Sequence, residues 1–255
     1  MLQKIGEGAH GVVSKCLKKG TNKMYAVKTI RWEDEHFRSL RTNFMTIKKL
    51  KQKSLIKYKA LFINDKIRVC HTVLEYFPHP PLRPRTMKED ELRSVFYLIF
   101  EAVAYLHKNN ICHRDLKPDN ILYDSSSEKV KIIDFGVCKN VKTRGRKENM
   151  LTDTGTFYYK APEMFLGGGY SEAVDSWAIG VVLYEMITGV TPFASEYLLD
   201  TKEKIMNSEL DLSHEIFYQY NPLIKDLLTH LLKKDPKARI TCEEAKKHLW
   251  FFSHL

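Results

Sequence analysis

Four prolines within seven residues, Pro78, Pro80, Pro81 and Pro84, divide this 255-residue chain into two unlike parts. Proline fixes φ and removes a backbone donor, so such a cluster breaks helices and strands alike and marks a connector. Before it the sequence reads mostly as strands. Val12, Val13, Tyr25, Ala26 and Val27 flank the stretch from Lys19 to Asn22, which suits a hairpin turn. The segment from Glu33 to Lys51 reads as one helix, with Phe37, Leu40, Phe44, Ile47 and Leu50 at helical spacing. Ile67 to Phe77 is strand-like again. After the connector the chain is mostly helical. Glu89 to Lys108 carries Leu92, Phe96, Ile99, Val103 and Leu106 on one stripe, and Asp175 to Thr188 is apolar on nearly every side, as in a helix buried at the centre of a lobe.

Composition narrows the class. Hydrophobic residues are 44% and charged residues 28%, ordinary for a soluble globular protein. Lys plus Arg number 41 against 31 Asp plus Glu, a net charge of +10. Such a balance fits a nucleic acid, an anionic membrane or a phosphate-rich ligand, but no nucleic-acid-binding signature accompanies it, so it reads first as a solvated basic surface. The five cysteines, Cys16, Cys70, Cys112, Cys138 and Cys242, are odd in number and include no C-x-x-C pair. That argues against a disulfide scaffold or a zinc site and for a reducing compartment. The N-terminus has no signal-peptide core, and the longest apolar stretch, Trp177 to Ile187, is too short to span a bilayer and contains Glu185. A cytoplasmic or nuclear protein is expected, with no specific nucleic-acid partner and no membrane.

Near the N-terminus, Ile5-Gly6-Glu7-Gly8 leads through Gly11 to Val13, a G-x-G-x-x-G loop. Glycines let the backbone approach phosphate oxygens with no Cβ in the way. Alone, the loop also fits a dinucleotide fold or a plain turn. Two features choose between these. The residues after it are β-branched and strand-like, whereas a dinucleotide loop opens a helix. A strand Tyr25-Ala26-Val27-Lys28 then follows, with Lys28 17 residues beyond Gly11. Lys28 alone reads as an edge-strand lysine facing water; beside the loop it reads as a cation for the α- and β-phosphates.

The specific signal lies further on. His113 to Asn120 reads H-R-D-L-K-P-D-N, Asp134-Phe135-Gly136 follows 14 residues later, and then Ala161-Pro162-Glu163. With these motifs in order the chain resembles the eukaryotic protein kinases of the serine/threonine type, from Gly6 to Trp250. Three further segments, the octet with its Ile121-Leu122-Tyr123 extension, Ala161 to Phe165 with Gly167 to Tyr170, and Ile187 to Phe193, look most like the calcium/calmodulin-dependent and calcium-dependent kinases. The chain has no D-x-D-x-D-G calcium loop of its own.

The resemblance implies an α+β, bilobal fold: a small β-rich lobe with one main helix (1–74), a hinge and connector (75–88) and a larger, mainly helical lobe (89–255). It implies ATP and Mg²⁺ as cofactors, a protein substrate, and leaves room for a regulatory segment outside this chain. Asp115 matches the aspartate that orients the substrate hydroxyl and takes its proton, and Lys117 the lysine that meets the γ-phosphate. Asn120 and Asp134 match the two metal ligands. Thr156 matches a threonine bonded to Asp115 and Lys117. Val13, Ala26 and Leu122 match the residues that sandwich adenine, Glu75, Tyr76 and Phe77 the hinge, and Leu74 the guard of the back pocket. Glu163 with Arg239 matches a buried ion pair, and Asp175 a brace for the catalytic loop.

Two departures stand out. The family pairs the strand lysine with a glutamate of the small-lobe helix; that position falls on Asn43, which carries no charge. The connector is shorter than in relatives and lacks their glutamate for ribose and substrate arginine, leaving Asp119 as the acidic group beside the substrate channel. These departures motivate an alternative, a pseudokinase-like nucleotide-binding scaffold; the presence of Lys28, Asp115, Asn120 and Asp134 favours an active enzyme. Thr152, among Thr143, Thr152 and Thr154 of the activation segment, falls where relatives carry an activating phosphate, with Arg114 and Lys139 as its expected cations.

Overall fold

The β-branched and aromatic residues that precede the connector pair into one antiparallel sheet. The computed structural model describes residues 3–8, 11–31, 34–84, 87–135, 139–140, 157–167, 169 and 171–253, and of residues 8, 34–40, 139 and 140 the backbone alone. Strands β1 (Gln3–Gly8), β2 (Gly11–Leu17), β3 (Met24–Arg31), β4 (Tyr58–Asn64) and β5 (Val69–Glu75) lie in the order β1-β2-β3-β5-β4. The turn expected at Lys19 to Asn22 closes through Lys18 N–H to the Lys23 carbonyl, 3.0 Å, and Thr21 N–H back to the Lys18 carbonyl, 3.1 Å. Its register sets Val13 opposite Lys28 and Lys15 opposite Ala26, and Ala26 in turn opposite Leu74. Side chains alternate across a pleated sheet, so Ala26 and Lys28 share one face.

Helix α1 (Asp34–Lys48) ends three residues before the expected Lys51. The apolar period runs on to Leu50, but the chain has by then tightened: Lys49 N–H bonds the Thr46 carbonyl and Leu50 N–H the Ile47 carbonyl, the i→i+3 closure common at helix ends. Phe44 and Ile47 are buried and Leu50 packs against the core. The side chains of Phe37 and Leu40 lie outside the described residues.

The proline connector is not a free loop. Pro81 bridges Leu122, Leu82 N–H bonds the Ile121 carbonyl at 2.6 Å and Tyr123 N–H bonds the Pro80 carbonyl at 3.0 Å. It therefore runs extended as an edge beside β7 (Ile121–Asp124), where missing proline donors cost nothing. Leu82 is driven fully into the core.

Helix α2 (Glu89–Lys108) has the expected bounds, and all five residues of its predicted stripe are fully buried. Acidic Glu89, Asp90 and Glu91 open it and His107 and Lys108 close it, matching the helix dipole. Short strands β6 (Ile111–Cys112), β7, β8 (Lys129–Ile132) and β9 (Lys139–Asn140) frame the segment between, β6 pairing with β9 and β7 with β8. The helix α3 (Ala173–Thr188) is buried on all sides, as its sequence predicts. A Cβ on Gly180 would sit 2.9 Å from Leu231 Cβ, so this glycine sets how closely α3 approaches the helix Leu223–Leu231. The helices α4 (Leu198–Asn207), α5 (Leu223–Leu231) and α6 (Cys242–Ala245) complete the larger layer. The fold is α+β, a five-stranded antiparallel lobe upon a helical one. Among the described residues, no helix is long and apolar enough to cross a membrane, and Cys16, Cys70, Cys112 and Cys242 are free thiols.

Candidate active site

Where the sheet meets the helical layer, a cleft of about 690 Å³ opens. Its roof is the β1–β2 hairpin, contributing Ile5, Gly6, Glu7, Gly11 and Val13. Gly8 ends β1 opposite Gly11. Gly11 is obligatory here: its φ is +109°, and a Cβ would lie 2.3 Å from the Thr29 carbonyl oxygen. The β2 backbone thus lies directly on β3 at the loop's exit. The back wall is Ala26, Lys28 and Leu74, and the floor includes Leu122 and Ile133. Glu75, Tyr76 and Phe77 form the edge. The Glu75 carboxylate pairs with Lys131 Nζ at 2.5 Å, so its side chain ties β5 to β8. Asp115, Lys117, Asp119, Asn120 and Asp134 line the opposite side.

The octet His113–Asn120 is held from below. Asp175, at the start of α3 and wholly buried, accepts the backbone N–H groups of His113 and Arg114, both at 2.8 Å, and meets His107 Nε2 at 2.9 Å. Burial works to raise its pKa; the hydrogen bond and charge of His107, with the His113 and Arg114 contacts, outweigh it and hold the carboxyl below the usual range. Pinned this way, Arg114 takes a φ of +70°. Asp134 takes +63°. Left-handed backbone at non-glycine residues costs roughly 1–3 kcal/mol each and persists where the surroundings dictate it.

Asp115 is buried, and Asn120 Nδ2 donates both to its carbonyl at 2.7 Å and to its Oδ2 at 2.9 Å. Lys117 Nζ stands 3.3 Å from the same oxygen. Among the described residues the other oxygen, Oδ1, is buried with no hydrogen-bond partner. An unsatisfied buried carboxylate oxygen is costly and marks a place where a donor is meant to arrive. Lys28 Nζ reaches Asp134 Oδ1 at 2.6 Å, and among the described residues this is its ion pair, not one with a side chain of α1. Asn43 is half-buried on α1. Phe135 is buried between His113 and Tyr58, with ring centroids 5.2 and 6.0 Å away.

The cleft thus gathers a cation, oxygen ligands and an acceptor carboxylate around a space of nucleotide size with mainly apolar walls, a donor set that suits a polyphosphate and a hard divalent cation. Glu163 and Arg239 form a bidentate pair at 2.7 and 3.0 Å, as expected. Thr156, Gly136, Thr143, Thr152 and Thr154 lie outside the described residues, as does the side chain of Lys139. Sequence reasoning missed Tyr58, His79 and the two prolines Pro80 and Pro81 as lining residues, and the ion pair of Arg83 with Asp119. All are brought in by pairings remote in sequence.

Comparison with known proteins agrees with the geometry. The protein kinase domain model matches residues 1–251. The chain belongs to the protein kinase family, and the curated relatives it resembles are serine/threonine kinases. Ribosomal protein S6 kinase alpha-6 of Homo sapiens is 35% identical over 259 residues, covering 96% of this chain and 34% of the relative. Calcium/calmodulin-dependent protein kinase type IV of Mus musculus is 34% identical over 257 residues, covering 96% of this chain and 53% of its own length. The chain therefore spans about a third to a half of the curated relatives it matches.

Proposed function

We propose that this chain transfers the γ-phosphoryl group of Mg-ATP to serine and threonine hydroxyls of protein substrates, with Asp115 as the base. The observation that carries this reading is the state of Asp115: one oxygen held by Asn120 and Lys117, the other buried without a partner among the described residues. A substrate hydroxyl donating to Oδ1 satisfies that oxygen and is oriented by it. As the hydroxyl oxygen bonds to the γ-phosphorus and the bond to the β-phosphate oxygen breaks, the hydroxyl proton passes to Asp115. Lys117 neutralises charge on the transferred group, and Lys28 meets the α- and β-phosphates. Asn120 and Asp134 would hold Mg²⁺; Nδ2 of Asn120 is committed to Asp115, which leaves its oxygen for the metal. A bound Mg²⁺ supplies charge neutralisation and alignment of the phosphates. Ile5, Val13, Ala26 and Leu122 enclose the base, Glu75 to Phe77 bond it through the backbone, Leu74 bounds the pocket behind it, and Gly6, Glu7, Gly8 and Gly11 cover the phosphates. Thr156, outside the described residues, keeps the role the resemblance gives it, a hydroxyl bonded to Asp115 and Lys117.

In this reading the small lobe is 1–74, the hinge and connector 75–88 and the large lobe 89–255. A regulatory segment outside this chain and a cytoplasmic or nuclear site of action belong to the same proposal. The test is phosphotransfer from Mg-ATP to generic protein substrates. Asp115→Asn should lower turnover by about 10²–10⁴ while nucleotide binding, followed with a fluorescent analogue, persists. Equal turnover in wild type and variant removes Asp115 from its role.

A further inference from the structure

Beside Asp115 the cleft carries a second carboxylate, Asp119, and a basic side chain of the same chain already occupies it. Asp119 lines the cleft four residues after Asp115. Arg83 Nη2 lies 2.7 Å from Asp119 Oδ1. Glu185, on α3, accepts the Tyr159 hydroxyl at 2.7 Å. Burial raises the pKa of Glu185, and it lies within electrostatic reach of both Asp119, whose charge raises it further, and Arg83, whose charge offsets that. The Tyr159 phenol is likewise pushed up, by burial first and then by Glu185, and it too feels Asp119 and Arg83. Four groups thus share one electrostatic neighbourhood: two carboxylates, a phenol and a guanidinium.

Arg83 is presented there by the backbone. Pro81 bridges Leu122, Leu82 N–H bonds the Ile121 carbonyl and the Leu82 side chain is buried, while Pro84 follows immediately. With its neighbours fixed on either side, the stem of Arg83 starts from a defined point, so little backbone freedom is lost on pairing. The pair itself is exposed, Arg83 at 57% and Asp119 at 60%. Such a pair adds little to stability. Its consequence is for what docks beside the acceptor site.

We infer that Arg83 is a specificity-determining residue: it takes, within the chain, the carboxylate of Asp119 that a basic substrate side chain would otherwise meet beside the acceptor site. The inference rests on the phosphotransfer reading above. An incoming arginine finds Asp119 neutralised and a like charge beside it, so arginine is not selected at that place and neutral side chains are accepted equally well. The sequence feature that makes this possible is the short proline connector, which brings Arg83 to a point where its chain neighbours in space come from the catalytic octet.

The experiment compares serine peptides that differ in one residue, arginine against its neutral isostere citrulline, at each of the positions flanking the acceptor. Affinity is read by fluorescence anisotropy, which needs no turnover, and kcat/KM by phosphate incorporation. Wild type should show no more than about a twofold preference for arginine at any position, the weak end of an exposed ion pair. In Arg83→Ala, and again in Arg83→Gln, arginine at one position should gain about three- to tenfold in affinity, the scale of one released ion pair. Adding Asp119→Asn should abolish the gain. Identical preferences in wild type and both Arg83 variants overturn the inference, as does a strong arginine preference already present in wild type. Absence of turnover on every peptide would count against the phosphotransfer reading instead, while the affinity series still decides the role of Arg83.

Discussion

Lys28 and Asp134 meet at 2.6 Å across the cleft, the lysine from β3 and the aspartate from the segment after β8. Both side chains are about four-fifths buried, at 17% and 21% exposed, so the pair is partly desolvated and each charge depends on the other. The residue that would meet phosphate and the residue that would meet metal are thus already aligned with one another before either arrives. The small-lobe helix offers Asn43 where a charged partner for Lys28 is expected, and the aspartate supplies the countercharge.

Two substitutions test this arrangement. Lys28→Met removes the cation from Asp134 and from the phosphates, and should lower kcat/KM for ATP by about 10²–10³, the scale of losing one preorganised charged donor. Asn43→Glu adds a carboxylate on α1 and should leave kcat/KM at or above the wild-type value. Steady-state kinetics at fixed Mg²⁺ reads both; a loss of tenfold or more in Asn43→Glu would show that this position does not face the lysine productively.

Asp175 joins stability to the site. Its carboxylate satisfies two backbone N–H groups of the catalytic octet and contacts His107. Asp175→Ala leaves those donors buried and unpaired and should cost roughly 2–4 kcal/mol in urea unfolding, with turnover falling because His113 and Arg114 lose their anchor. The folded pKa is depressed, so the unfolded chain binds the proton more tightly. The contribution is therefore complete above about pH 4, the ordinary carboxyl range, and disappears as pH falls through the lower folded value. Comparing the acid limb of wild type with that of Asp175→Asn isolates it: the variant should show a shallower fall below about pH 4.

Much of this was legible in the sequence because the signals are local. The bounds of α2 follow from an acidic first turn, a basic last turn and an unbroken stripe, and the end of α3 at Thr188 from apolarity all round, though α3 starts at Ala173, two residues before the expected Asp175. The residues that gather in the cleft are legible for the same reason, since Asp115, Lys117 and Asn120 sit within one short run. What escaped is non-local. Proline suggests a break, yet the connector pairs with β7 because an edge needs few donors. Nothing near Arg83 announces Asp119, nor does anything near Glu75 announce Lys131; each pair exists only because the fold lays one segment beside another. The end of α1 was overshot since Leu50 keeps the helical period while its backbone has already closed into a tighter turn.

Gly11→Ala tests the roof of the cleft. The new methyl would lie 2.3 Å from the Thr29 carbonyl oxygen and 2.7 Å from Ile30 Cγ2, with φ at +109°. No side-chain rotation relieves a contact with backbone, so β2 must lift from β3. The strain is on the order of 1–3 kcal/mol. Nucleotide affinity should weaken about tenfold, the equivalent of some 1.4 kcal/mol. Titration with the fluorescent analogue measures it, and unchanged affinity would mean that the loop adjusts without cost.

The bidentate pair of Glu163 and Arg239 makes the last prediction. The guanidinium of Arg239 has five N–H donors, and every one has a place: Nε to the Lys233 carbonyl, Nη1 to Glu163 and the Ala173 carbonyl, Nη2 to Glu163 and the Lys234 carbonyl. Its side chain is completely buried. Arg239→Lys keeps the charge but has three donors and no planar fork, so it cannot serve Glu163 at two points and three carbonyls at once. It should therefore destabilise the fold by roughly 2–4 kcal/mol, the cost of leaving buried polar groups unpaired. Glu163→Ala should cost more, about 3–5 kcal/mol, because it strands a buried cation. Glu163→Gln and Arg239→Met made together should cost less than the sum of the same two changes made singly, since neither leaves an uncompensated charge once the other is gone. Urea unfolding of wild type, these two single variants and their double closes the cycle. Strict additivity would show that the pair acts as two independent residues rather than as the unit its geometry describes.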